Sequence, residues 1–171
     1  MKTVFFISIT ALGLLLMSFS ENYTQASFSY LQNKDSIPEL NKKIVAFAAS
    51  KLKKKVGTGE CWDLAAEALQ SVNAKWDMKY KFGKEVNYKK EPVYPGDIIQ
   101  FENVVLNYEI DRRKYVEKMG HHTAIVYEVK DQNNFTLIHQ NTGYTGRKVG
   151  TSPLDLSTLT KGNFKVYRAE R

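Results

Sequence analysis

One cysteine and three histidines are the residues of this chain whose types can do chemistry: Cys61, His121, His122 and His139. Cys61 follows Gly57-Thr58-Gly59-Glu60 and opens a stretch with helical period in which Leu64, Ala65, Ala68, Leu69 and Val72 form one stripe. A thiol in the first turn of a helix meets unpaired amides and the positive end of the helix dipole, which favour thiolate over thiol. The glycines let backbone and substrate approach the sulfur, and the Cys61 amide can face a developing oxyanion. The plainer reading is that Cys61 is a small buried apolar residue, because it shares the core-facing stripe.

The histidines favour the chemical reading. His122 to Val129 and Asn134 to Asn141 read as strands joined by the polar turn Lys130 to Asn133, which makes a hairpin. Alternation places His122, Ala124 and Val126 on one face, and Leu137, His139 and Asn141 on one face of the partner. A two-residue turn at Asp131-Gln132 sets His122 opposite Asn141 and Ala124 opposite His139, so that His122, His139 and Asn141 share a face. His122 can then take the Cys61 proton and return it to a leaving group, while His139 or Asn141 holds the ring in the useful tautomer. His121 points to the opposite face. Zinc is a rival use of one Cys and the histidines. However, there is no Cys-x-x-Cys pair and no helical His pair, and neither a metal nor any other cofactor is expected.

The elements that must position these groups follow from the pattern. Ser36 and Glu39 have capping-box spacing with Pro38 in the first turn, and Leu40, Ile44, Phe47, Ala48 and Leu52 extend a helix over 37–54. A second helix reads over 59–74. Residues 75–95 read as loop with weak strand, Pro95-Gly96-Asp97 as a turn, and 98–102 as a strand. The charged segment 103–120 reads as an insertion between strands. Residues 143–150 form a glycine-containing loop, 153–159 a helical turn, and 164–168 a last strand. Two helices followed by an antiparallel sheet indicate an α+β domain.

Residues 1–20 are expected to be a signal peptide. Lys2 precedes an apolar run of about 14 residues, short of the roughly 20 needed to span a bilayer, and small residues follow. Residues 21–36 are polar and read as a flexible arm, leaving 37–171 as the domain. The chain has 171 residues and a formal net charge of +7, from 25 Lys+Arg and 18 Asp+Glu. An exported basic protein is drawn to polyanions such as a bacterial envelope. The lysines are scattered and no nucleic-acid motif is present, so nucleic acid is not an expected partner. Nor is stable membrane insertion after leader cleavage, and the domain is expected to be monomeric. A lone cysteine excludes an internal disulfide.

Several motifs carry a resemblance. Gly59-Glu60-Cys61-Trp62 resembles the Gly-x-Cys-x helix start of CHAP amidase/peptidase domains in the broader NlpC-type papain-like superfamily. Pro95 to Phe101 resembles their Pro-Gly-Asp strand. Gly120-His121-His122-Thr123-Ala124-Ile125-Val126 resembles their Gly-His-Val-Ala-Ile-Val strand with one residue inserted, and that alignment selects His122. His139-Gln140-Asn141 falls where CHAP domains carry Glu-x-Asn, and NlpC-type relatives use His in that third role. The run Glu60 to Ala65, then Gly96-Asp97, then His122 to Val126, also resembles the cysteine-proteinase-fold domain of some fungal actin-patch proteins.

These resemblances imply a papain-like fold with N-terminal helices packed on a small antiparallel sheet. They imply a secreted or periplasmic cysteine hydrolase, an amidase or endopeptidase, acting through a thioester on the peptide part of peptidoglycan or another peptide substrate. Cys61 would attack, His122 would serve as base and then acid, His139 would orient it, and Asn141 would assist. A binding module with an idle thiol, and an acyl transferase, are the alternatives.

Overall fold

The computed structural model describes residues 37–143 and 145–171. The expected signal peptide (1–20) and arm (21–36) lie outside the described residues. Helix α1 is Glu39–Ser50 and helix α2 is Cys61–Ser71. Six strands follow: β1 Lys84–Val86, β2 Ile98–Ile110, β3 Arg113–Val129, β4 Asn134–His139, β5 Gly150–Asp155 and β6 Leu159–Arg168. They form one antiparallel sheet in the order β1-β6-β2-β3-β4-β5. Two helices on an antiparallel sheet are the α+β arrangement expected from the sequence.

Alternation along the strands divides the core in two. Ile98, Ile125 and Ile138 meet Ile44, Ala48, Leu64 and Leu69 of the helices. The residues one step away face the other side: Ile99, Ala124 and Leu137 join Val86, Leu154 and Val166. All six strands, from one edge to the other, contribute to that second cluster. The sheet must therefore curl until its own edges share a core, a strong form of the usual twist.

Several expectations need correction. Helix α1 is shorter than 37–54. Pro38 occupies the N-cap without a side-chain cap bond, and after Lys51 the chain turns through Lys53 at φ 64°. There it exchanges backbone bonds with Val149 (Lys53 N–H to Val149 O and Val149 N–H to Lys54 O, both 2.8 Å), so Leu52 leaves the buried stripe. Segment 103–120 is not an irregular insertion. Strands β2 and β3 continue in register from Ile98↔Ile125 to Ile110↔Arg113 as one long hairpin. Its two-residue turn, Asp111-Arg112, has both residues at positive φ (51° and 63°), the backbone of a type I′ turn without the glycine that normally signals it. The helical turn expected over 153–159 is confined to a 3-10 turn at Leu156–Thr158; 153–155 close strand β5 and Leu159 opens β6. Pro153 is tolerated because β5 is an edge strand, paired only with β4.

The Pro95-Gly96-Asp97 turn is a structural lock. Asp97 is fully buried. Its carboxylate takes two bonds from Arg168 (2.9 and 2.7 Å), one from Asn41 Nδ2 (2.7 Å) and one from the Tyr94 amide (2.9 Å). Gly96, at φ 89°, lies against the Asn41 backbone, where a Cβ would come within 2.3 Å of Asn41 O. One carboxylate thus joins α1, the start of β2 and the end of β6. Among the described residues no helix is long and apolar enough to cross a membrane. Removing a partner from a buried ion pair strands the other charge. Asp97→Ala is therefore expected to lower the unfolding free energy by about 3–5 kcal/mol in urea titration, whereas truncating the exposed Lys42 of the Lys42–Glu39 pair should change it by about 0.5 kcal/mol or less.

Candidate active site

Cys61 is the first residue of α2, and the loop before it is built around one oxygen. Asp63 Oδ2 accepts from the amides of Thr58 (2.8 Å), Gly59 (3.0 Å) and Glu60 (3.0 Å) and from the Thr58 hydroxyl (2.8 Å). Here Gly57 and Gly59 serve the loop. A Cβ at Gly57 would lie 2.8 Å from Asp63 Cγ, and one at Gly59 would lie 2.8 Å from Arg147 Cβ. Their positive φ values (54° and 94°) fit the same tight turn. The thiol hydrogen-bonds to the carbonyl of His121 (4.0 Å), and the Thr123 amide lies close enough to favour its thiolate. The sulfur therefore rests against the main chain on either side of His122.

The histidines take the positions that strand parity predicts. His122 and His139 are buried, and His122 Nε2 lies 2.9 Å from His139 Nδ1. The pairs Ile125↔Ile138 and Val126↔Leu137 have the register expected near the site, although the turn differs. Lys130 N–H bonds to Asn134 O around the three-residue loop Asp131–Asn133, and a bulge between Val126 and Glu128 absorbs the extra residue. His139 Nε2 in turn lies 2.9 Å from Ser152 Oγ on β5. Only one tautomer pair leaves a lone pair on His122 Nδ1 while keeping both bonds. In it, His122 Nε2–H donates to His139 Nδ1, and His139 Nε2–H donates to Ser152. Ser152 escaped the sequence reading because its strand was not recognised.

Asn141 is placed differently from the expectation. Strand β4 ends at His139, and Asn141 has φ 61°, so alternation no longer governs its side chain. Asn141 Nδ2 donates to Glu60 Oε2 (2.8 Å), and Arg147 pairs with Glu60 Oε1 (2.9 Å). Asn141 thus steadies the residue before the thiol and makes no bond to His122. Between the two, buried Gln140 donates to Val56 O (2.9 Å) and Glu60 O (2.7 Å) and accepts from Val56 N–H (3.1 Å). It fastens the cysteine loop to the end of the histidine strand. His121 projects to the other face, with Nδ1 2.9 Å from Glu102 and its ring edge-on to Tyr80.

Burial sets the protonation states. It holds His122 well below the ordinary imidazole range, at about 4, with the neighbouring His121 adding to the shift. It lowers His139 as well, helped by His122. Burial pushes the Cys61 thiol up, against the opposing pull of the Thr123, Trp62 and Cys61 amides. The helix start does not yield the resting thiolate expected from the sequence, because desolvation outweighs it. Near pH 7 the site holds a neutral thiol and a neutral imidazole, and among the described residues no hydrogen bond joins Cys61 to His122. Cys61, His122 and His139 line one open cleft of about 500 Å³. Among the described residues no group of three or more His, Cys, Asp or Glu side chains is placed to hold a metal.

No curated protein matches the chain significantly. Solved structures similar to it include the following two. "The crystal structure of Ly7917" is 16% identical with a TM-score of 0.45, and the similarity covers 74% of this chain and 62% of that one. "The crystal structure of Ly7917 with the hydrolyzing product of MDP" is 15% identical with the same TM-score and coverage. The chain thus spans less than two thirds of the length of the structures it matches. The model of the AIM3/BBC1 cysteine proteinase-fold domain matches residues 34–171, which takes in both helices, all six strands and every residue of the cleft, and the chain belongs to that family.

Proposed function

We propose that the domain is a cysteine hydrolase that cleaves an amide or peptide bond through a thioester. The observation that carries this reading is the shared cleft, in which the lone thiol at a helix start meets a buried histidine pair linked at 2.9 Å. The Cys61 sulfur attacks the carbonyl carbon as its proton passes to His122 Nδ1. The oxyanion forms near the Cys61 amide, which as the first of the helix has no intrahelical acceptor. Collapse breaks the C–N bond, and the His122 proton leaves with the amine. Water then attacks the thioester, gives a proton to His122, and releases the acid and the thiol. His139 holds the His122 tautomer and Ser152 holds that of His139. Both are positioning residues. Because thiol and imidazole start neutral, proton transfer accompanies attack instead of preceding it.

For substrate we propose the peptide part of peptidoglycan, with the protein exported to meet it. The CHAP-like motifs, the leader-like residues 1–20 and the basic chain support this. A second reading, an idle binding module on the same fold, is favoured by the missing thiol–imidazole bond and the raised thiol pKa.

Purified peptidoglycan digested by the wild type should release new amine and carboxyl ends by mass analysis, with Cys61→Ser slower by about four orders of magnitude and still folded. Binding without any cleavage would establish the idle module. The neutral imidazole is the working base and its pKa is lowered to about 4. The acid limb of kcat/KM should therefore fall near pH 4, with activity kept through the ordinary histidine range; loss of activity near pH 6.5 would show that His122 titrates as an exposed ring. Ser152→Ala should reduce kcat by about fivefold, the worth of one hydrogen bond, with KM unchanged and partial recovery in Ser152→Thr.

A further inference from the structure

The long β2–β3 hairpin contributes a wall to the cleft that the chemistry above does not use. On this arm Val104↔Met119, Leu106↔Glu117 and Tyr108↔Tyr115 are cross-strand pairs, so their side chains share one face. Val104, Leu106 and Met119 belong to the same core cluster as Ala124 and Val126, the residues that share a face with His122. The arm therefore continues the core side of Ala124 and Val126 outward, after a break in strict alternation between Met119 and His122, opposite Asn103 at φ 53°. Its tyrosines stack with ring centroids 5.6 Å apart and planes 13° from parallel.

Glu117 is the exception on this surface. It lines the cleft beside Tyr115 and Met119, directly across from buried Leu106. It is half-buried, and among the described residues it has neither a hydrogen bond nor an ion pair. Burial raises its pKa, with no opposing group. A half-buried carboxylate without a partner is costly. The other carboxylate of the cleft, Glu60, is satisfied by Arg147 and Asn141. Lys118 is the one Lys or Arg among the residues lining the cleft; as the next residue along the strand it faces the other way and forms no ion pair with Glu117.

We propose that Glu117, with the Tyr108–Tyr115 stack beside it, is a subsite for a basic side chain of the peptide substrate. The carboxylate supplies the counter-charge. The ring faces add a cation–π contact, and the aliphatic stem of a lysine or arginine lies along Met119, which lines the cleft. Glu117 and His122 are five positions apart on β3, roughly 16 Å at the rise of a strand. An extended peptide with its scissile bond at Cys61 thus places the basic residue roughly three to five positions away. The assignment rests on the reading that a peptide occupies this cleft for cleavage, and its test needs no turnover.

The test is calorimetric titration of Cys61→Ala protein with capped alanine-glycine peptides in which a single lysine is walked along the chain, each compared with its norleucine counterpart. At one position lysine should bind about tenfold tighter than norleucine, arginine should match lysine, and Glu117→Gln should abolish the preference without changing the melting temperature. Equal binding of lysine and norleucine peptides at every position, a preference that survives Glu117→Gln, or no binding by any peptide would overturn the subsite. A lysine preference in a protein whose wild type cleaves nothing would retain the subsite and refute the hydrolase.

Discussion

The site depends on the fastening of a helix start to a strand end. Gln140 makes three hydrogen bonds to the backbone at Val56 and Glu60, and Asp63 gathers four donors from the intervening loop. The first sets where the cysteine loop sits relative to the strand that carries His139. The second fixes the path of that loop into the helix. Both depend on buried or nearly saturated polar groups, for which the alternative to bonding is a desolvated, unpaired atom. This makes the placement of Cys61 sharp, even though the thiol itself contributes one long bond.

Burial then decides the chemistry. The histidine pair sits on the face shared with Phe101 and Leu137, where charge is disfavoured, so both rings are kept neutral. The same desolvation raises the thiol. The resulting pair resembles a hydroxyl nucleophile with its base more than a preformed thiolate–imidazolium couple. Under the proposed mechanism proton transfer is drawn along by substrate binding, in keeping with the proposed Glu117 subsite on the far wall of the cleft. The basic balance of the whole chain is not repeated in that cleft, where Glu117 is the charge left unpaired.

Much of this was legible in the sequence wherever a short-range period carried it. The apolar stripe of α2 and the alternation along β3 and β4 brought Cys61, His122 and His139 together on paper. The predicted turn was one residue too short, yet the bulge near Tyr127 restored the register that parity demanded. Other features had no local signal. The partners of Asp97 stand 56 and 71 residues away, so its role as a lock cannot be read from Pro95-Gly96-Asp97 alone. The β2–β3 arm lacks the glycine of a tight turn and is rich in charge, which hid its alternation. Pro153 and Gly150 disguised β5, and Ser152 was lost with it. Asn141 was misplaced because parity ends where its backbone turns left-handed.

The central claim is that Cys61 and His122 act as nucleophile and base, and it can be tested without knowing the natural substrate. The protein has a single cysteine, so intact-mass analysis after brief exposure to p-nitrophenyl acetate reads acylation of that thiol directly. The account predicts an acetyl thioester on Cys61 at neutral pH that forms rapidly in the wild type and in His121→Ala and is nearly lost in His122→Ala. Acylation at the same rate in His122→Ala, or its loss in His121→Ala instead, would contradict it.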